Sequence, residues 1–270
     1  MKKQCGGLRA ASAACRLCPE LRKAGHSMIT KTYKMAEKII EISALHPDVH
    51  SYCAGYEAEG KPDFSVVITQ QDIDAERVKS DSEFAYEGLP QPHFSDAQLE
   101  ETAVYRKIAE MMPQYNTFVF HGSVVSVDGA GYLFTAKSGT GKSTHTSLWR
   151  RLFGDRAVMV NDDKPLIRVG GTVTVFGSPY NGKHRLGNNI AVPLRALCIL
   201  TRAEENRIER ITKADAYTML LQQVYRPQNP IQLAKTLHLI DALAAQTPLY
   251  RLGCNMDISA AQVAYNGMKG

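Results

Sequence analysis

The chain has 270 residues, 44% of them hydrophobic and 22% charged, which suits roughly one or two domains with a core that needs no disulfides. Its net charge of +5 lies in the first 27 residues, which hold six Lys and Arg against one Glu; the rest carries 26 of each sign, so charge gives no pointer to nucleic acid. No apolar run approaches the ~18–20 residues of a membrane helix, and the cysteines at 5, 15, 18, 53, 198 and 254 form no disulfide framework, so a cytoplasmic protein without a membrane or nucleic-acid partner is expected.

In chain order, residues 1–27 have little to bury and are expected to be a disordered extension. Cys5, Cys15, Cys18 and His26 could supply one zinc set, but a single CxxC is a weak pattern. Residues 28–97 are expected to form a small N-terminal α+β lobe. "KIIEIS" and "FSVVITQ" predict strands, and the polar stretch from Asp72 to Pro92, with Gly88, Pro90 and Pro92, predicts a loop. Ser95 before "DAQLEETAVYRKIAEMM" is a cap before a helical pattern. Residues 98–270 are expected to form the main lobe. "NTFVFHGSVVSV" is rich in strand residues, "DGAG" is a turn, and "YLFTA" is an apolar strand. "KSTHTSLWRRLF" predicts a helix, "AVMV", "GTVTVF" and "LRALCILT" predict strands, and Leu233, Leu237, Ile240 and Ala244 mark a helix face. "PLYRL" and "DISAAQVAYNGM" read as a last strand and helix.

Between "YLFTA" and its helix lies "KSGTGKST". A strand that turns through glycines into a helix N-terminus points unpaired N–H groups and a positive dipole end at an anion. Ser138, Gly139, Thr140, Gly141, Lys142, Ser143 and Thr144 are the candidate phosphate-binding residues, with Lys142 for the β- and γ-phosphates of ATP and the Ser143 hydroxyl for Mg2+. Ala136 stands where the pattern G-x-x-x-x-G-K-[ST] has its first glycine, at little cost if its φ is negative. No guanine-recognition motif follows.

His121 precedes Lys142 by 21 residues, and Asp162 and Asp163 follow it by 20 and 21. If the intervening strands pair, all three reach the loop. One acid can then hold Mg2+ while its neighbour takes a proton from an incoming hydroxyl. The loop "GSPYNGKHRLGNN" brings Lys183, His184 and Arg185, and Arg185 is a candidate for stabilising the transferring phosphoryl group; a solvated basic loop explains it equally well. His145 and Trp149 read as packing residues, and His46, His50 and Cys53 show no metal pattern.

The run "HGS…YLFTAKSGTGKST…VMVNDDKPLI", from about His121 to Ile167, resembles the superfamily of HPr kinase/phosphorylase and phosphoenolpyruvate carboxykinase. That resemblance implies a P-loop kinase of α/β class with a mixed, β-rich sheet beside the small N-terminal lobe. It implies His121 assisting proton transfer or holding metal or phosphate, Lys142 on phosphate, Ser143 on Mg2+, Asp162 as base and Asp163 as metal partner, or the last two exchanged. It also implies a homo-oligomer. The glycine- and glutamate-bearing signature of HPr kinases after the Asp pair has no counterpart here, nor has the oxaloacetate-binding set of a carboxykinase. The function expected first is therefore an ATP- and Mg2+-dependent kinase acting on a hydroxyl-bearing acceptor, a small molecule or a peptide Ser. A nucleotide-binding regulator with weak ATPase comes second and a carboxykinase third.

Overall fold

The computed structural model describes residues 28–88, 90–182 and 184–270. The tail with its three cysteines and His26 lies outside them. The N-terminal part opens with a hairpin of β1 (Ile29–Met35) and β2 (Lys38–Ala44), closed by Ala36 and Glu37 at φ 47° and 63°, the left-handed pair that tight hairpins use. β3 (Phe64–Val67) joins β2 in parallel, reached through the short helix α1 (Asp48–Tyr52).

The stretch expected to be a loop from Asp72 to Pro92 is instead mostly helix: α2 runs from Gln70 to Glu87. Its apolar period is hidden because it buries only Ile73 and Glu76, and Glu76 is a carboxylate held by Arg106 at 2.7 Å and Lys79 at 3.1 Å. The overlooked signal is a capping box, in which Thr69 and Asp72 bond across the first turn. The expected helix after Ser95 is α3 (Asp96–Met111), with Ser95 as its cap. It packs Leu99, Ala103, Val104 and Ile108 into the core of the three-stranded sheet. That core also takes in Val119, Leu166, Phe176 and Tyr180, so packing is continuous across residue 97.

The rest is a mixed α/β arrangement around one nine-stranded sheet. Its strands are β4 (Thr117–Val119), β5 (Ser123–Val127), β6 (Ala130–Thr135), β7 (Ala157–Asn161), β8 (Leu166–Arg168), β9 (Thr174–Phe176), β10 (Ala191–Arg202), β11 (Arg207–Arg210) and β12 (Leu249–Cys254). The order is β4-β8-β9-β10-β6-β5-β7, with β12 also on β10 and β11 on β12. Pairing of β10 with β6 and β12 is parallel; the other pairs are antiparallel. β5 and β6 turn on Asp128 and Gly129, both at positive φ.

Successive strand residues point to opposite faces, and here they feed two separate cores. Val124, Leu133, Leu197 and Ile199 face α5 (Lys213–Gln223) and α6 (Pro230–Gln246). Their neighbours Val125, Phe134, Ala196 and Cys198 face α4 (Lys142–Phe153) and α7 (Ser259–Met268). The sheet is thus the middle layer of three. Among the described residues no helix is long and apolar enough to cross a membrane.

Candidate functional site

The glycine loop leaves β6 at Thr135 and enters α4 at Lys142. Thr140 N–H bonds back to Lys137 O at 3.2 Å, a turn that places Gly139 at φ 73°; Gly141 follows at φ 114°. A Cβ at Gly139 would meet nothing within 4 Å, so glycine is required there by φ and leaves open space beside the backbone. Ala136 is fully buried in the core beneath α4 and is not among the residues of positive φ, so alanine fits where the usual pattern has glycine. α3, α5 and α6 each have a side chain capping the first turn, whereas α4 has none. Its leading N–H groups are left for another acceptor, with the dipole favouring an anion.

Lys142 lies back against the loop, with Nζ 3.5 Å from Ala136 O. Burial holds it below the usual lysine range, partly offset by the charge of Asp163. The strand pairing does bring the expected flanking residues to this end of the sheet. Ser123 pairs with Phe134, and Thr135 Oγ1 donates to His121 O at 3.0 Å. His121 Nε2 lies 3.2 Å from Asp163 Oδ1, and Lys164 Nζ lies 3.4 Å from Oδ2. The main chain locks this pair in place: Gly122 N–H donates to Asp163 O at 3.0 Å, and His121 N–H donates to Gln223 O at 2.7 Å. Burial raises the Asp163 carboxyl, but the His121 bond and the Lys164 charge outweigh it and hold it below the usual carboxylate range.

Asp162 has a different setting. It is 5% exposed, and its Oδ1 accepts from Gly182 N–H at 2.7 Å. A Cβ at Gly182 would come within 3.1 Å of the carboxylate, so a larger residue crowds it. Asn161, at the end of β7, shapes the turn between these settings. Its Oδ1 accepts from the N–H groups of Asp163 at 2.8 Å and Lys164 at 2.7 Å, and its Nδ2 donates to Ser178. Asn161 and Ser178 act through structural hydrogen bonds; only Asn161 adjoins the acids in sequence, and Ser178 lies in the later loop 177–189.

Two cavities border the loop and a third lies at Asp163. One of about 620 Å³ is lined by Ser143, Thr144, Asp162 and His184. A second of about 530 Å³ lies along Gly139, Gly141, His145, Arg202 and Asn255, where Arg202 ties the loop through a bond to Gly139 O. A third of about 230 Å³ holds Asp163 and Lys164 opposite Tyr52 and α3. Ser143 and Asp162 together offer a hydroxyl and a carboxylate, the hard oxygen donors that suit Mg2+, so the residues present fit that ion.

Other expected residues fall elsewhere. Arg185 turns its guanidinium onto the ring of Tyr52, 4.8 Å from the centroid, and lines none of these three cavities; His184 from the same loop lines the first. Lys183 lies outside the described residues. His145 and Trp149 are packing residues: Trp149 Nε1–H donates to His145 Nε2 at 3.0 Å inside the core. His46 contacts Glu100 and His50 contacts Tyr33, and no metal-ligating cluster occurs among the described residues.

The family model for SynChlorMet cassette protein ScmC matches residues 97–259, from the start of α3 to the start of α7. The chain belongs to this family. The ScmC match contains the glycine loop, His121 and both acids, and leaves out the three-stranded sheet with Tyr52. No curated protein matches the chain. Among solved structures, the Hpr(Ser) kinase/phosphatase from Coxiella burnetii matches over 56% of this chain and 99% of its own, at 13% identity and a TM-score of 0.29.

Proposed function

We propose that the chain is a P-loop phosphotransferase that moves the γ-phosphoryl group of ATP to a hydroxyl. The observation that carries this reading is the His121–Asp163 pair, 3.2 Å apart, at the mouth of an uncapped glycine loop. A module that only bound nucleotide would need the loop and Lys142 but no partly buried carboxylate paired with histidine. In this reading the N–H groups of Gly139 to Ser143 and the Lys142 ammonium bind the β- and γ-phosphates. The nucleoside lies along the cavity of Arg202 and Asn255.

Of the two acids, we assign the base to Asp163 and the metal to Asp162, the exchanged form of the order first expected. Asp163 touches His121 and opens onto the cavity facing α3, where an acceptor can enter. Asp162 shares its cavity with Ser143, and these two residues would hold Mg2+. The ion, when bound, offsets charge on the phosphate oxygens. Asp163 accepts the proton of the incoming hydroxyl, and His121 keeps the carboxylate oriented and ionised.

The test is incubation with ATP and Mg2+ against a panel of hydroxyl-bearing small molecules and Ser peptides. Nucleotide binding is followed separately with a fluorescent ATP analogue. Phosphorylated product that vanishes in Asp163→Asn while analogue binding persists supports the reading. Full transfer by Asp163→Asn overturns the base assignment. Oxaloacetate-dependent formation of phosphoenolpyruvate would favour a carboxykinase instead.

A further inference from the structure

The cavity of about 230 Å³ beside Asp163 has a composition that selects chemistry. Tyr52 ends α1, Glu101 and Tyr105 lie one turn apart on α3, and Tyr180 comes from the loop after β9. The three rings form one group: Tyr105 packs edge-on to Tyr180 at 4.9 Å, and Tyr52 packs against it at 5.7 Å. Tyr180 is 8% exposed, and its hydroxyl has no partner among the described residues. Glu101 is half-buried and makes no ion pair or hydrogen bond among the described residues; burial pushes its carboxyl above the usual range, with Arg185 partly opposing. Lys164 also lines the cavity, but Asp163 already neutralises it at 3.4 Å. Arg185, stacked on Tyr52, stands near enough to act on Glu101 but does not bond it, so the carboxylate in this space, walled by aromatic rings, has no direct partner among the described residues.

A half-buried carboxylate without a partner is costly, and a cation placed beside it and against tyrosine rings recovers that cost. Resting on the phosphotransfer reading above, we propose that this cavity takes the acceptor as an ammonium-bearing alcohol, with its ammonium at Glu101 and the tyrosines and its hydroxyl at Asp163. A cavity of about 230 Å³ is on the scale of a small amino alcohol or the first residue of a peptide whose N-terminus is serine. In the transfer, the hydroxyl oxygen forms a bond to the γ-phosphorus while the bond from that phosphorus to the β–γ bridging oxygen breaks. ADP leaves with the electron pair, and the hydroxyl proton passes to Asp163.

The test uses the full chain with four probes: ethanolamine, ethylene glycol, the peptide Ser-Gly-Gly and its N-acetylated form. Binding is read by calorimetry and transfer by phosphorylated product, each with ATP and Mg2+. Ethanolamine or Ser-Gly-Gly should bind at least tenfold more tightly than its uncharged counterpart. Glu101→Gln should cost about tenfold in that binding while ATP affinity stays the same, and Tyr180→Phe should cost a few-fold. Preference for ethanolamine assigns a free amino alcohol, and preference for Ser-Gly-Gly assigns a peptide N-terminus. Equal binding of charged and uncharged probes, no binding of either amine, or full affinity in Glu101→Gln overturns the proposal. Charge-selective binding without any phosphorylated product leaves the ammonium site standing and removes phosphoryl transfer.

Discussion

Two cavities meet at the end of β7, and they differ in kind. The one at Asp162 has no tyrosine on its wall among the described residues; it offers the hydroxyls of Ser143 and Thr144 and a carboxylate pinned to Gly182, beside Leu148, Leu186 and Met256. The one at Asp163 is aromatic, with Tyr52 of the N-terminal part on its wall and its carboxylate paired to a histidine. One peptide unit separates the two acids, and the turn at Asn161 sends them apart. Adjacent identical side chains thus acquire different surroundings from the elements facing them, the condition under which paired carboxylates take separate tasks.

Substitutions that remove one task at a time can break this contrast. The largest effect is expected for Asp163→Asn, a loss of about 10²–10⁴ in kcat with nucleotide binding retained, measured by product formation. Lys142→Ala removes the ammonium that lies back against the loop, and should weaken ATP binding about a hundredfold, the ~3 kcal/mol typical of a lost buried charge partner, as read by titration. Asp162→Asn keeps an acceptor for Gly182 N–H, so the fold should persist; the Mg2+ concentration for half-maximal rate should rise about tenfold. Equal phenotypes for the two Asn variants would erase the distinction between the cavities.

The smallest effect on catalysis belongs to His145, on the loop's other flank. Its Nε2 accepts from Trp149, so the neutral ring is built into the core, and burial pushes its pKa down to about 4. Below pH 6.5 the unfolded chain binds a proton that the folded chain does not, so stability falls as pH drops from 6.5 to about 4 and levels off below that. The loss is on the order of 3 kcal/mol. Chemical denaturation of the parent and of His145→Asn at pH 7 and pH 4.5 should show a smaller pH difference in the variant.

What was legible in the sequence was local. The α4 helix, the glycine loop and the β5–β6 hairpin each depend on residues close in sequence, and their patterns are period, turn and cap. The approach of His121 to the loop was also legible, because a short hairpin fixes the register. α2 was hidden because the one polar group it buries, Glu76, is satisfied by Arg106 from α3, thirty residues away. The aromatic cavity was hidden for the same reason on a larger scale: residues 52, 101, 105, 163 and 180 meet only through the packing of α1 and α3 on the sheet. The different settings of the two acids depend on Asn161, Ser178 and Gly182, none of which announces a role by residue type.

β10 carries a last consequence. Along one edge it pairs with β9 at residues 191–193 and with β12 at 197–202; its pairing with β6 on the other edge slips between Leu194 and Ala196. Arg202, at its end, is the residue that ties down Gly139. The glycine loop precedes β10 in the chain, yet residues 197–202 of the strand bearing its tether gain their partner on that edge only when Leu249–Cys254 has been added. On the ribosome, therefore, a nascent chain stalled before Leu249 carries all the residues of the loop and both acids without the bed that fixes them. The setting of the loop is thus completed only with β12, as a property of the finished sheet.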